Sequence, residues 1–365
     1  MKKNENIYIC KIKNFYKDKD SRIYYFDYLR IFCSFFVILI HVSAYDYYHS
    51  ALNSYNWKIS YYYNALSRFS VPNFFMISGA LFLNRDLSYG VIFNKYIKNI
   101  FIHLILWSII YSLNDKNFWT LNIKKKLFLI IKGHYHLWYL FATIGIYISI
   151  PFLREIAKNA KLLNYFISSH LIILFIIPNY IYLFSHYSKD IYNLLNYIIS
   201  VSNLNKLSTN LFYFTFGHYL NKKKSEKNCI RIIIYIIGFI SLIFTSIITY
   251  NFAFKKNKKI NHFSFNYLNI FFLSISIFLF FKNNINNITF NKKHSKIIQN
   301  TAKLTYGIYL IHPLIIKTIV ENTHFFRLSI EKIFLIPMLN IFIFLFSLII
   351  SIIIKKLPLI SKYLI

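Results

Sequence analysis

Apolar runs of about 20 residues recur along this chain, and that is the number of helical residues needed to cross the hydrocarbon core of a bilayer. They fall near 24–45, 62–84, 92–114, 135–153, 162–184, 194–220, 230–252, 263–282, 299–320 and 333–354. The spacing predicts an all-α integral membrane bundle of about ten spanning helices. Of 365 residues, 56% are hydrophobic and 21% aromatic, a composition that fits a membrane bundle and not a soluble core. Connections between runs are short. The predicted organisation is a basic cytoplasmic tail over 1–22, one transmembrane domain over 23–356 and a short cytoplasmic tail over 357–365. The run at 194–220 is the most polar, carrying several Asn and Lys206, and 117–133 reads as an amphipathic surface element.

A net charge of +31 does not point to nucleic acid, because most Lys residues lie in loops between apolar runs. The abundance of Lys, Asn, Ile, Phe and Tyr also fits the codon bias of an AT-rich genome. Lys and Arg concentrate on one set of loops, including the tail Lys2 to Arg22, Lys222–Lys224 and Lys292–Lys293. That excess places both termini in the cytoplasm, with Lys124–Lys126 and Lys255–Lys259 as outer exceptions. The run after the tail is too long and too polar-studded for a cleavable signal. Cys10, Cys33 and Cys229 offer neither metal spacing nor a disulfide framework.

Polar residues inside these runs cost free energy and therefore locate function. Arg30 and His41 stand eleven residues apart in the first run. That is three helical turns plus about 20°, so they share a face and lie about 16 Å apart along the axis. Asp27, Arg30, Ser34, Ile38 and His41 form one stripe, which predicts the wall of a lined cavity. His41 has a pKa near neutrality and suits a general base, while Arg30 suits an anionic oxygen. The alternative is an interfacial histidine and a snorkelling arginine. Asp27 is expected to pair with Arg30, or else to cap the helix, and Asp46 to orient the His41 imidazole.

The second run embeds Arg68, a site candidate. Pro72 is expected to free its carbonyl and bend the helix, and Ser78-Gly79 to permit close helix approach. Lys95 and Lys98 sit at the inner end of the third run, as donor-phosphate contacts or as ordinary cytoplasmic anchors. His136 and Trp138 open the fourth run, as part of an aromatic belt or as a sugar-stacking surface. The His134–His136 spacing and the scarcity of carboxylates exclude a metal site. In the ninth run Thr305, Tyr309 and His312 share a face beside Tyr306, as pocket residues or as a histidine bonded to a neighbouring helix.

In order, these motifs resemble the membrane-bound acyltransferase-3 family. Arg30-x10-His41 looks like its Arg/Lys-x10-His signature, and Val71–Gly79 like its second-helix motif. His136-Leu-Trp138-Tyr-Leu140 with Tyr147 and Pro151, and Tyr306–Pro313, resemble its later elements. Asn64–Arg68 with the Pro72 motif is similar to the enterobacterial-common-antigen O-acetyltransferase type. The resemblance implies acyl transfer, usually acetyl from acetyl-CoA, to a hydroxyl of a cell-envelope glycan at the bacterial cytoplasmic membrane, with no tightly bound cofactor. It also implies a catalytic His41 and an essential Arg30. Lys95 and Lys98 stand where the family commonly carries arginines. A lipid-linked glycan flippase and a non-catalytic partner of a polysaccharide synthase are the competing readings.

Overall fold

A computed structural model describes residues 22–184, 188–201, 208–224, 227–256, 267–285, 288, 290–322 and 330–365. The helices are α1 (Tyr24–His49), α2 (Tyr55–Ser67), α3 (Ser70–Phe82), α4 (Tyr89–Leu113), α5 (Ile123–Lys132), α6 (Trp138–Lys158), α7 (160–184), α8 (Lys189–Val201), α9 (Thr209–Lys222), α10 (Asn228–Lys256), α11 (Leu268–Ile285), α12 (Lys292–Asn322), α13 (Lys332–Lys355) and α14 (Pro358–Leu364). Helices dominate because hydrocarbon leaves no solvent partner for a backbone N–H or C=O, and a helix satisfies both internally.

Among the described residues, seven helices are long and apolar enough to cross a membrane. They cover the expected runs except 62–84, 194–220 and 299–320. The first of these exceptions breaks at Arg68–Phe69 into α2 and α3. The break precedes Pro72, which thereby falls in the first turn of α3, where its missing N–H costs nothing. Ser70 Oγ donates to Ser67 O at 2.7 Å and closes the break. The second is divided between α8 and α9, with 202–207 outside the described residues. The third is α12, 31 residues long and studded with polar side chains. Within 117–133, α5 buries none of its residues and leaves Ile123, Leu127, Phe128 and Ile131 exposed beside four lysines.

Two seams build the interior. In the first, α3 packs along α9 with the backbones in contact. A Cβ on Gly79 would overlap the Phe214 carbonyl, and one on Gly217 would overlap the Met76 backbone. The glycines therefore set the separation of the two helices. In the second, α12 packs against both α1 and α13, which also touch each other. Helices α1 and α12 run in the same sense: Gln299 Nε2 donates to Tyr24 Oη at 3.2 Å near one end, and the His41 and His312 rings lie 5.2 Å apart near the other.

Ion pairs pin both ends of α1. Asp27 accepts from Arg22 Nε and a terminal guanidinium nitrogen at 2.6 and 2.9 Å. This corrects the expected Asp27–Arg30 pair, and the bond raises the Arg22 pKa above its ordinary value. At the other end Asp46 lies 3.3 Å from Lys332 Nζ, both buried, so its charge faces α13 and not the His41 imidazole. Arg154, from α6, donates to Leu87 O at 2.8 Å and Asp86 Oδ1 at 3.1 Å, holding the loop between α3 and α4.

Because the α3–α9 contact is backbone on backbone, Gly79→Val is expected to cost at least about 3 kcal/mol through overpacking. Size-exclusion profiles of the detergent-solubilised variant should show little monodisperse protein. A wild-type profile and melting temperature would refute the seam.

Candidate active site

A cavity of about 330 Å³ opens between α1, α3, α4, α6 and α12. Arg30, Ser34, Ile38 and His41 all line it, so the stripe read from the first apolar run is one of its walls. Asp27, three residues before Arg30, falls outside the lining and is spent on Arg22.

The facing wall is α12, which contributes Lys303, Thr305, Tyr306, Tyr309 and His312. Because α1 and α12 are parallel, Arg30 and Lys303 belong to one end of the cavity and His41 and His312 to the other. The axial rise from Lys303 to His312 is about 14 Å, close to the 16 Å between Arg30 and His41. Each helix thus presents a cation below and an imidazole above. Lys303 was not singled out from the sequence. It precedes Tyr306 by three residues, the same step that relates Tyr306, Tyr309 and His312, so it continues their row toward the Arg30 end.

The third wall comes from the start of α6. His136, Trp138, Tyr139, Thr143 and Tyr147 line it, with Phe74 and Ser78 from α3 opposite. Hydrogen bonds tie α12 to its neighbours. Tyr309 Oη donates to His136 O at 2.7 Å, and Tyr306 Oη lies 3.1 Å from His103 Nδ1 of α4. Tyr139 packs edge-on against Tyr309 at 5.6 Å and Phe74 at 6.3 Å, making the middle of the cavity aromatic. Tyr139, Tyr147 and Ser78 are site residues that residue-by-residue reading missed. The i, i+4, i+8 spacing of Tyr139, Thr143 and Tyr147 was the available signal.

The histidine end is crowded. The His136 ring lies 5.9 Å from His312, and its Nδ1 is 2.8 Å from His134 Nδ1. Tyr111 stacks on His134 at 4.2 Å. Among the described residues no three metal-donor side chains converge. Trp138 lines the cavity and is 40% exposed.

Arg68 does not line the cavity. Its guanidinium donates through Nε to Asn64 Oδ1 at 2.8 Å. Asn64 Nδ2 in turn donates to Ile40 O at 3.0 Å and Ser43 Oγ at 3.1 Å. These contacts fall on either side of His41 on α1, so Asn64 ties Arg68 to the helix that carries His41. Lys95 and Lys98 are exposed and outside the lining. Lys95 lies within a π-helical segment, Ile92–Ile97, that changes its angular relation to Lys98.

A multi-pass helical membrane protein with a lined internal cavity is the class these features define. The domain profile of the acyltransferase-3 family, described as an acyltransferase domain, matches residues 23–356, and the chain belongs to that family. It is an acyltransferase. Comparison with curated proteins and with solved structures gives no match.

The Asn64 bridge supplies a test of how His41 is held. Asn64→Ala removes the buried amide that joins Arg68 to α1, at an expected cost of about 1–3 kcal/mol. Thermal unfolding in detergent should fall by several degrees and acyl transfer should drop with it. Unchanged stability and activity would show that the bridge does not position His41.

Proposed function

We propose that the protein transfers an acyl group, acetyl from acetyl-CoA, to a hydroxyl of a cell-envelope glycan, with His41 as base. One observation carries this reading: Arg30 and His41, fixed-charge cation and titratable base, open onto the same cavity from one helix. A cavity of about 330 Å³ is within the range of small-molecule sites, and in this reading it receives the acyl-pantetheine arm of the donor. The nucleotide then stays at the mouth, which the Lys and Arg distribution assigns to the cytoplasm.

The donor's negative charges meet Arg30 and Lys303 at that mouth. The arm runs along Tyr139, Tyr147 and Tyr306 and brings the thioester toward His41. The acceptor hydroxyl approaches past Trp138 from the opposite end, His41 takes its proton, and the oxygen attacks the thioester carbonyl. The C–O bond forms, the C–S bond breaks, and the proton leaves on the coenzyme thiolate. General-base assistance of this kind contributes about 10²–10⁴ in rate.

The test is acetyl-CoA-dependent transfer by the purified protein in nanodiscs. The acceptor is envelope glycan extracted from cells deleted for the gene, with released thiol as a second readout. His41→Ala should lower turnover by about 10²-fold or more with folding intact, and Arg30→Ala by a similar factor. Lys303→Ala should raise the donor KM about tenfold and leave kcat within a factor of about two, the signature of lost uniform binding. Near-wild-type turnover by folded His41→Ala sinks the reading, as does an absence of acceptor-dependent thiol release by the wild type.

A further inference from the structure

Helix α5 (Ile123–Lys132) takes no part in the cavity and buries none of its residues. At 1.5 Å per residue it is about 15 Å long, half the hydrocarbon thickness, so it cannot span a bilayer. Ile123, Leu127, Phe128 and Ile131 are each more than half exposed. At about 100° per residue they fall within an arc of about 140°. Lys126, Leu129 and Ile130 occupy a second arc and are half-buried, and α5 packs against α4. Lys125 and Lys132, both exposed, stand on the arc between these two. The helix therefore presents a protein face, an apolar face and a cationic face. Lys124 falls on the apolar arc, where a four-carbon stem can lift its ammonium back to the headgroup level. Two exposed aromatic residues, Trp119 and Tyr135, flank the helix, and Lys126 Nζ lies 5.9 Å from the Trp119 ring centre. Exposed Trp and Tyr of this kind collect at membrane–water interfaces.

We propose that α5 lies in the plane of the membrane surface and binds anionic lipid headgroups: its apolar arc enters the acyl region, and Lys124, Lys125 and Lys132 meet lipid phosphates. A helix too short to span, with a broad apolar face and a lysine face, has this as its stable position. The charge on the helix selects the lipid. No Asp or Glu occurs between Asp115 and Glu155, and among the described residues no carboxylate pairs with a lysine of α5. The cationic face is thus uncompensated, and phosphate is its complement. The same charge disfavours other occupants. A second copy docked α5 to α5 would set lysine against lysine. The segment over 1–21 carries six lysines against three acids, the wrong sign to cover this face. Lys124–Lys126, an exception to the charge bias of the outer loops, then belong to a surface helix. The lipid site adjoins the histidine end of the cavity, because α5 ends at Gly133, in the left-handed region at a φ of 69°, and His134 and His136 follow at once.

Two measurements on the full-length protein test the position of α5 and the identity of its lipid. For position, nitroxide labels are attached in nanodiscs through Phe128→Cys or Lys125→Cys, with Cys10→Ser and Cys229→Ser removing the other reactive thiols and Cys33 buried. Spin relaxation by oxygen, which concentrates in lipid, is compared with relaxation by an aqueous nickel chelate. The ratio of oxygen to nickel accessibility should be at least about fivefold higher at 128 than at 125. Equal ratios would place α5 in water, and a label at 128 shielded from both reagents would place it against protein; either result overturns the proposal. For identity, the detergent-solubilised protein is titrated with phosphatidylglycerol or phosphatidylcholine and bound lipid is counted by native mass spectrometry. Combining Lys124→Gln, Lys125→Gln and Lys132→Gln should weaken the tightest phosphatidylglycerol at least about fivefold and leave phosphatidylcholine within about twofold. Unchanged phosphatidylglycerol affinity, or an equal loss for both lipids, overturns the assignment to anionic headgroups. Size-exclusion profiles of each variant serve as the folding control.

Discussion

The side-by-side, same-sense packing of α1 and α12 is the contact on which the site depends. A charged or titratable side chain in hydrocarbon is tolerable only where another protein surface faces it. Each of these helices carries a cation toward one end and a histidine toward the other, and each supplies the surface that shelters the partner's polar groups. Reversing the direction of either helix would set a cation against a histidine at both ends and destroy the gradient along the cavity. The Asp27–Arg22 and Asp46–Lys332 pairs hold α1 at its two ends, and the α3–α9 glycine seam leaves Phe74 and Ser78 as a fixed third side.

Much of this was legible in the sequence because helical geometry is local. Arg30, Ser34, Ile38 and His41 needed only the 3.6-residue period to be placed on one face, and the same period grouped Thr305, Tyr309 and His312. What the period cannot supply is the partner of each face. Asp27 shares the stripe with Arg30, but the chain before the helix brings Arg22 closer and bidentate. Asp46 follows His41 by just over a turn, yet Lys332, distant in sequence, reaches it first. Arg68 was read as a site candidate; it stands outside the cavity lining and is hydrogen-bonded to Asn64, whose side chain spans two helices. Lys303 escaped notice although it continues the three-residue step of Tyr306, Tyr309 and His312, because a lysine near a span end reads first as an interfacial anchor. Lysines 95 and 98 drew attention by position alone and stand outside the cavity.

The split of the second apolar run carries a further physical lesson. Proline was expected to bend one long helix and free the Arg68 carbonyl, and the regular helix is interrupted at Arg68–Phe69, both of which keep right-handed helical dihedrals, before it resumes with Pro72 in its first turn. Pro72 has no N–H to offer the Arg68 carbonyl, so the interruption falls one turn before it, and α3 beyond it carries Gly79 onto the α9 backbone.

The chemistry of the cavity is set as much by what its walls omit. No Asp or Glu is among its lining residues within the described structure, and the described acids near it are paired elsewhere: Asp27 with Arg22, Asp46 with Lys332, Asp86 with Arg154. A transporter driven by protons or sodium needs a carboxylate that changes charge inside the membrane. In this cavity the side chains with a lone pair able to take a proton from a hydroxyl are imidazoles, and they gather at one end, across an aromatic passage from the cations. That polarity suits a reaction whose anionic substrate enters from one side and whose hydroxyl substrate enters from the other. The two meet where a neutral base can take a proton without first being released from a salt bridge.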